Sequence, residues 1–430
     1  MTSTAFLTDK YEITMLQSAM MSGKADEQVV FDLFARRLPS GRRYGVVGGT
    51  NRAVEAVKNF RFTDEQIKML ENDPVINNDT INFLKNYKFS GKIIGYPEGE
   101  VYFPNSPLIT VQGSFAETVL IETVLLSILN YDSAVMSAAS RMVNVSEGMP
   151  LIEMGSRRTS EISAIYASRA AYIAGFNATS NMEAGLRYRI PTTGTSAHAF
   201  TLAFENEKDA FKAQIDALGV KTTLLVDTYD IQQGIRNAVE VAGTELGGIR
   251  IDSGDLHEET VRARKLLDSL GATETKIVLS SDIDEYTIAE MKDRGTPVDG
   301  VGAGTRVVTG SGAPTAEMVY KLVERTNADG TRVPVVKKAS GKKSNGGFKT
   351  AFRTFDNNGK ITGEFFKIGH DVVLEDGEVP TQVTLVDGDY YHSEDIEITR
   401  ARHRKAIESL PDDSILVLAG TPAFESTEVK

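Results

Sequence analysis

At 430 residues the chain is too long for one simple core and has the length of two to three domains. It contains no cysteine, which excludes disulfides, thiolate metal sites and cysteine nucleophiles. A formal net charge of −12, from 59 acidic against 47 basic residues, argues against nonspecific binding to nucleic acid or to an anionic membrane.

In chain order, the opening "LTDKYEITM" sets Tyr11 among charged residues just before a helical run. Asp9, Lys10 and Glu12 stand where a signal peptide needs an unbroken apolar segment, so a cytoplasmic protein is expected. "VVFDLFARRL" alternates like a strand, and "FARRLPSGRRYG" then bunches Arg36, Arg37, Arg42 and Arg43. Arginines beside glycine in an acidic protein suit small anions, because guanidinium forks match carboxylate and phosphate geometry. "KIIGYPEGEVYF" and "PLITVQGSF" predict two strands joined by a Pro-marked turn. Next, Leu120, Val124, Leu125 and Ile128 recur at helical spacing, predicting a core-facing helix that joins two domains. Its apolar run "VLIETVLLSIL" is interrupted by Glu122 and is about half the length of a membrane span.

From residue 151 the pattern becomes strand–helix alternation. The apolar runs "LIEMG", "TTLLVD", "GIRID", "KIVLSSD" and "VDGVGAG" are separated by helical stretches such as "HEETVRARKLLDSLG". Such runs predict a parallel sheet covered on its faces, as a barrel or a doubly wound sheet. The last four end at Asp227, Asp252, Asp282 and Gly302. Parallel strands put those ends on one rim, where chemistry is expected. After residue 310 the alternation stops. "EMVYKLVE", "VPVVKKAS" and "DVVLEDGEVPTQVTLVDG" predict short strands, and "EDIEITRARHRKAIESL" predicts a last helix; these are expected to pack on the N-terminal segment. Lys337, Lys338, Lys342, Lys343 and Lys349 read as a solvated basic face. The expected division is 1–115, 116–310 and 311–430.

Several rim motifs carry chemistry. In "GTSAHAF", His198 has no second histidine three to five residues away, and no G-x-S-x-G elbow accompanies it. A general acid or base, a nucleophilic imidazole and a histidine satisfied by hydrogen bonds all remain open. "IRIDSGDL" offers Arg250 and Asp252, whereas Asp255 with Glu258 three residues later reads as a helix cap. In "DGVGAGTRVVTG" the glycines at 300, 302 and 304 precede Thr305, a nest suited to a phosphate rather than to a dinucleotide. "EMGSRRTSE", with Arg157 and Arg158, and "NATSN" supply further anion contacts.

Taken in order, "LTDKYEITM", "FARRLPSGRRYG", "EMGSRRTSE", "NATSN", "GTSAHAF", "RIDSGDL", "SSDIDE", "GVGAGT" and "VYKL" resemble nicotinate phosphoribosyltransferases over residues 6 to 353. The resemblance implies an α/β protein with an irregular, incomplete TIM-like α/β barrel and an additional α/β domain formed from N-terminal and C-terminal segments. It implies a homodimer with active sites near the subunit interface. The implied reaction joins nicotinate to phosphoribosyl pyrophosphate with ATP hydrolysed alongside, giving nicotinate mononucleotide and pyrophosphate, with ATP and Mg2+ as cofactors. By the same resemblance His198 is phosphorylated by ATP, with Thr195 and Ser196 as nearby donors. Tyr11 would stack on the pyridine ring, and Thr195 and Arg250 would hold the nicotinate carboxylate. Thr305, with Gly302 and Gly304, would bind the ribosyl phosphate, and Asp252 and Asp282 the ribose or Mg2+. Arg157 and Arg158 would meet pyrophosphate or the phosphohistidine; no metal ligand set is implied. Three alternatives stay open: a nicotinamide or quinolinate phosphoribosyltransferase, an aldolase- or isomerase-type phosphate barrel, and a phosphosugar-binding protein without turnover.

Overall fold

The computed structural model describes residues 3–337, 345–417 and 420–429, so Lys338, Lys342 and Lys343 lie outside the described residues. The chain forms two compact units, residues 1–137 with 313–430, and residues 138–312.

The first unit is built on a seven-stranded sheet in which Gln28–Ala35 lies between Met318–Thr326 and Ile109–Ser114. Both pairings are antiparallel, so the N-terminal and C-terminal segments form one sheet. Its inner face is apolar, and Phe31 stacks on Tyr320 with ring centroids 4.6 Å apart. The predicted strand pair over 92–114 is divided. Lys92–Gly95 pairs with Ile109–Ser114, whereas Val101–Tyr102 turns away to pair with Gly45–Val46. The turn between them places Gly99 at φ +93°, a conformation that favours glycine. "DVVL" in the C-terminal part is not a strand, and Val373 is exposed. The long hairpin Lys349–Phe355 with Ile361–Ile368 stands instead where no strand was predicted.

The helix Glu122–Ser146 follows a short helix, Phe115–Val119. Val124, Leu125, Ile128 and Leu129 belong to the core of the first unit, so the division falls at Ser137 rather than at residue 115. The apolar stripe of the helix is wanted by the sheet beside it, which draws its first half into that unit. By length and composition alone, Phe115–Ser146 is apolar enough to cross a membrane; 61% of its most apolar window is buried within the protein, the state of a core helix.

Tyr11 lies on the first helix, Lys10–Met21, and is half exposed, while Glu12 beside it is buried. Glu12 accepts hydrogen bonds from the Thr123 amide (2.8 Å) and hydroxyl (2.6 Å), and its other oxygen has no hydrogen-bond partner among the described residues. Burial pushes its pKa up to about 7, against the Thr123 bonds that lower it. The folded state therefore holds this proton between pH 4.5 and 7 while the unfolded state releases it, so stability falls as pH rises through that window. Glu12→Gln is expected to flatten that fall and to raise stability at pH 8 by up to about 3 kcal/mol. Thermal unfolding of both proteins at pH 5 and pH 8 checks it; equal pH dependence would refute the assignment.

The second unit carries six parallel strands in the order 178–179, 151–153, 300–303, 276–281, 248–251, 223–225. Each pairing is parallel. Read cyclically from 151–153, this is simply chain order, as in a barrel, with one contact missing between 178–179 and 223–225. The segment filling that break holds the helices Met182–Tyr188, His198–Leu202 and Glu207–Leu218. The barrel is incomplete at one place, and "GTSAHAF" lies in the gap.

Candidate active site

The rim forms where the strands end. Leu225, Ile251, Ser281 and Ala303 are the last residues of neighbouring strands, so Asp227, Asp252, Asp282 and Gly304 come together although 77 residues separate the first from the last. Gly302 lies within its strand, two residues before the Gly304 turn. As predicted, the Asp255 carboxylate accepts from the Glu258 amide (3.0 Å) and starts the helix Leu256–Ser269.

His198 is the first residue of its helix and keeps 40% of its side chain exposed. Its Nδ1 is 3.1 Å from the Thr228 hydroxyl. Its Nε2 lies 3.9 Å from Asp227 Oδ1 and 3.9 Å from Asp252 Oδ2. Asp227 is itself held, since its Oδ2 accepts from the Asp252 amide (2.8 Å) and the Ser253 hydroxyl (2.7 Å). Its Oδ1 is buried without a hydrogen-bond partner among the described residues. This geometry leaves Nε2 free of hydrogen bonds and flanked by two carboxylates. The Ser196 hydroxyl does not serve the imidazole: it donates to Gln214 (2.8 Å), and Thr228 stands at the ring instead.

Arg250 joins the same group. Its Nη1 donates to the Thr195 hydroxyl (3.3 Å) and its Nη2 to the Ser196 carbonyl (3.1 Å), while Nε is buried without a hydrogen-bond partner among the described residues. Burial lowers its pKa, opposed by Asp252 and Asp227 and assisted by Arg157. A guanidinium remains protonated under such a shift, so Arg250 is a partly desolvated cation with an unused donor.

Beside it opens a cavity of about 350 Å3. Arg157, Arg158, Arg250, Asp252 and Asp282 line it, as do Gly302, Gly304 and Thr305. The Ser280 hydroxyl also lines it and is buried without a partner. Three orphaned polar atoms at one rim, Asp227 Oδ1, Arg250 Nε and Ser280 Oγ, are what a site for a polar ligand leaves when its ligand is not counted. The first arm of the rim is tightly built. Buried Glu153 accepts from the Ser168 (2.7 Å) and Thr179 (2.6 Å) hydroxyls and from the Gly155 amide. A Cβ on Gly155 would stand 2.2 Å from Val308 and 2.9 Å from the Gly304 carbonyl, so only glycine lets the turn before Arg157 approach the glycine turn at 304.

Tyr11 belongs to the first unit. Asp227, Thr228 and Ser280 were not singled out in the sequence as site residues. Asp227 had a signal, as a polar residue ending an apolar strand; Thr228 and Ser280 had none beyond adjacency. A second cavity, about 230 Å3, lies in the first unit. Its lysine, Lys349, is already paired with buried Asp32 at 2.7 Å, so it offers no free charge comparable to the rim.

The "nicotinate phosphoribosyltransferase N-terminal domain" family model matches residues 6–130. A nicotinate phosphoribosyltransferase of Mycobacterium tuberculosis is 49% identical, over 98% of this chain and 95% of its own. One from Bacillus subtilis is 38% identical, over 77% of this chain and 69% of its own. Among solved structures, human nicotinic acid phosphoribosyltransferase superposes with a TM-score of 0.84 at 23% identity, covering 98% of this chain and 97% of that one. A nicotinate-nucleotide pyrophosphorylase from Pyrococcus furiosus reaches 0.77 at 21% identity, covering 94% and 95%. At those identities the two structures establish the shared fold.

Proposed function

Because this chain belongs to the nicotinate phosphoribosyltransferase family, we propose that its rim transfers the phosphoribosyl group of phosphoribosyl pyrophosphate to nicotinate, forming nicotinate mononucleotide for NAD biosynthesis, and that His198 couples this to ATP. The observation that carries the reading is Arg250: a desolvated cation with a free donor, held by Thr195 and by the segment leading to His198. A carboxylate on the pyridine ring is the partner such a guanidinium lacks. Nicotinamide has no such charge, so the site favours the acid over the amide.

Displacement at the anomeric carbon builds positive charge on the sugar and negative charge on the leaving pyrophosphate. Arg157 and Arg158 make no ion pair among the described residues and line the cavity, where they can take that leaving charge. The Gly304–Thr305 turn would hold the ribosyl phosphate and Asp252 the ribose hydroxyls. The His198 imidazole attacks the terminal phosphorus of ATP through Nε2, forming the N–P bond as the bond to the ADP oxygen breaks and ADP leaves, with Thr228 at Nδ1 and Asp227 beside the ring; water later takes the phosphoryl group from the imidazole as phosphate. Among the described residues no group of three or more His, Asp or Glu converges on a metal position. Mg2+ characteristically binds one or two carboxylates together with substrate phosphates, and Asp252 near Asp227 fits that habit; when bound it would neutralise phosphate charge beside them.

The reading extends to a homodimer. The break in the barrel leaves Met182, Leu186, Phe200 and Leu202 exposed around the His198 segment, an apolar margin that a second copy would cover. Tyr11, half exposed on the first unit, would stack on the pyridine ring. The test is incubation with γ-labelled ATP, followed by acid-lability analysis and mapping. An acid-labile label on the peptide holding His198 is expected; label elsewhere, or none, would remove the phosphohistidine.

A further inference from the structure

One cation at the rim has no role in this scheme. Arg306 follows Thr305 in the one-turn helix Thr305–Val308, directly after the glycine turn. Its Nε donates to Asp282 Oδ2 at 3.0 Å and lies 3.9 Å from Asp284 Oδ2. Its two terminal nitrogens have no partner among the described residues, and its side chain is 42% exposed. Asp282 and Gly304 follow the paired strand ends Ser281 and Ala303, so the tether spans two adjacent turns of the rim. On its far side the Arg306 turn is anchored again. The Ser311 hydroxyl donates to Glu285 (2.6 Å), whose other oxygen pairs with buried Arg141 at 3.0 Å.

A half-exposed ion pair adds little to stability. This one does something geometric: Asp282 holds the guanidinium by its inner nitrogen, with Asp284 nearby, and the outer fork stays open, one residue from Thr305. A fork presented in that way matches two oxygens of a phosphate. Building on the reading of the rim as a phosphoribosyl site, we propose that Arg306 binds the 5′-phosphate of the phosphoribosyl substrate, and that Asp282 is a positioning residue that aims Arg306, rather than a ligand of ribose or Mg2+.

The full-length enzyme tests this with two probes that separate the ends of the substrate: ribose 5-phosphate, which carries only the 5′-phosphate, and inorganic pyrophosphate. Arg306→Ala is expected to weaken ribose 5-phosphate binding by about tenfold to a hundredfold, the loss of a charge-assisted pair, with pyrophosphate binding and the nicotinate KM unchanged. Arg306→Lys should recover part of it. Asp282→Asn should reproduce the loss, and the Arg306→Ala/Asp282→Asn double variant should be no worse than either alone. Additive losses, or an Asp282→Asn variant whose only change is a higher Mg2+ requirement, would overturn the positioning role. A pyrophosphate effect without a ribose 5-phosphate effect would overturn the assignment to the 5′-phosphate. Thermal unfolding of each variant separates these from misfolding. If the unaltered enzyme bound neither probe, the phosphoribosyl reading itself would fail, a result distinguishable from all of these.

Discussion

His198→Ala is expected to lower ATP hydrolysis by at least about a thousandfold, as removal of a nucleophile does, while a slow, ATP-independent transfer to nicotinate survives. The separation follows from the geometry. His198 meets the rim through Nε2, near Asp227 and Asp252, whereas Arg250, Arg157, Arg158 and the Gly304–Thr305 turn stay in place without it. Its one hydrogen bond, to Thr228, is half exposed, so the fold should lose no more than about 1 kcal/mol. Product formation with and without ATP, measured beside ADP release, reads both effects. Undiminished ATP hydrolysis in the variant would dismiss the imidazole as the phosphoryl acceptor.

The second large effect belongs to Arg250. Arg250→Ala is expected to raise the nicotinate KM by about a hundredfold, from the loss of a desolvated charge-assisted contact, with a much smaller change for phosphoribosyl pyrophosphate. The preference for nicotinate over nicotinamide should shrink in parallel, because the charge that separates them has lost its partner. Arg250→Lys should restore little, since an ammonium cannot reach Thr195 and Ser196 and also fork a carboxylate. Arg250 also steadies the residues just before His198, so some loss of ATP coupling should accompany the KM effect. Steady-state kinetics with each substrate varied in turn decides; an equal rise in both KM values would refute a carboxylate-binding role.

The local features of this protein were legible from its residues. Short apolar runs become the parallel strands, because a strand covered on both faces must be apolar along its whole length. Polar and glycine residues end them where the chain turns, and Asp255 caps the helix that follows it, a contact spanning three residues. The hairpin Lys349–Phe355 with Ile361–Ile368 was missed although Asp356–Gly359 is a turn signal between alternating runs, because its strands carry buried charges, Lys349, Arg353 and Glu364, that disguise the apolar pattern. The candidate site was partly legible: motif residues such as His198, Arg250 and Thr305 stand out, while the partners that tune them do not.

Those partners depend on which strands are neighbours. Thr228 reaches His198 across 30 residues, Thr195 reaches Arg250 across 55, and Arg306 takes Asp282 across 24. The missing contact between 178–179 and 223–225, which opens the barrel where His198 stands, is likewise a property of sheet order. Local periodicity and capping are set by residues within a few positions, so the amino-acid sequence determines them by itself. Side-chain pairing at the rim is set by strand adjacency and register, over distances along the chain that no local pattern records, and only the tertiary structure decided it.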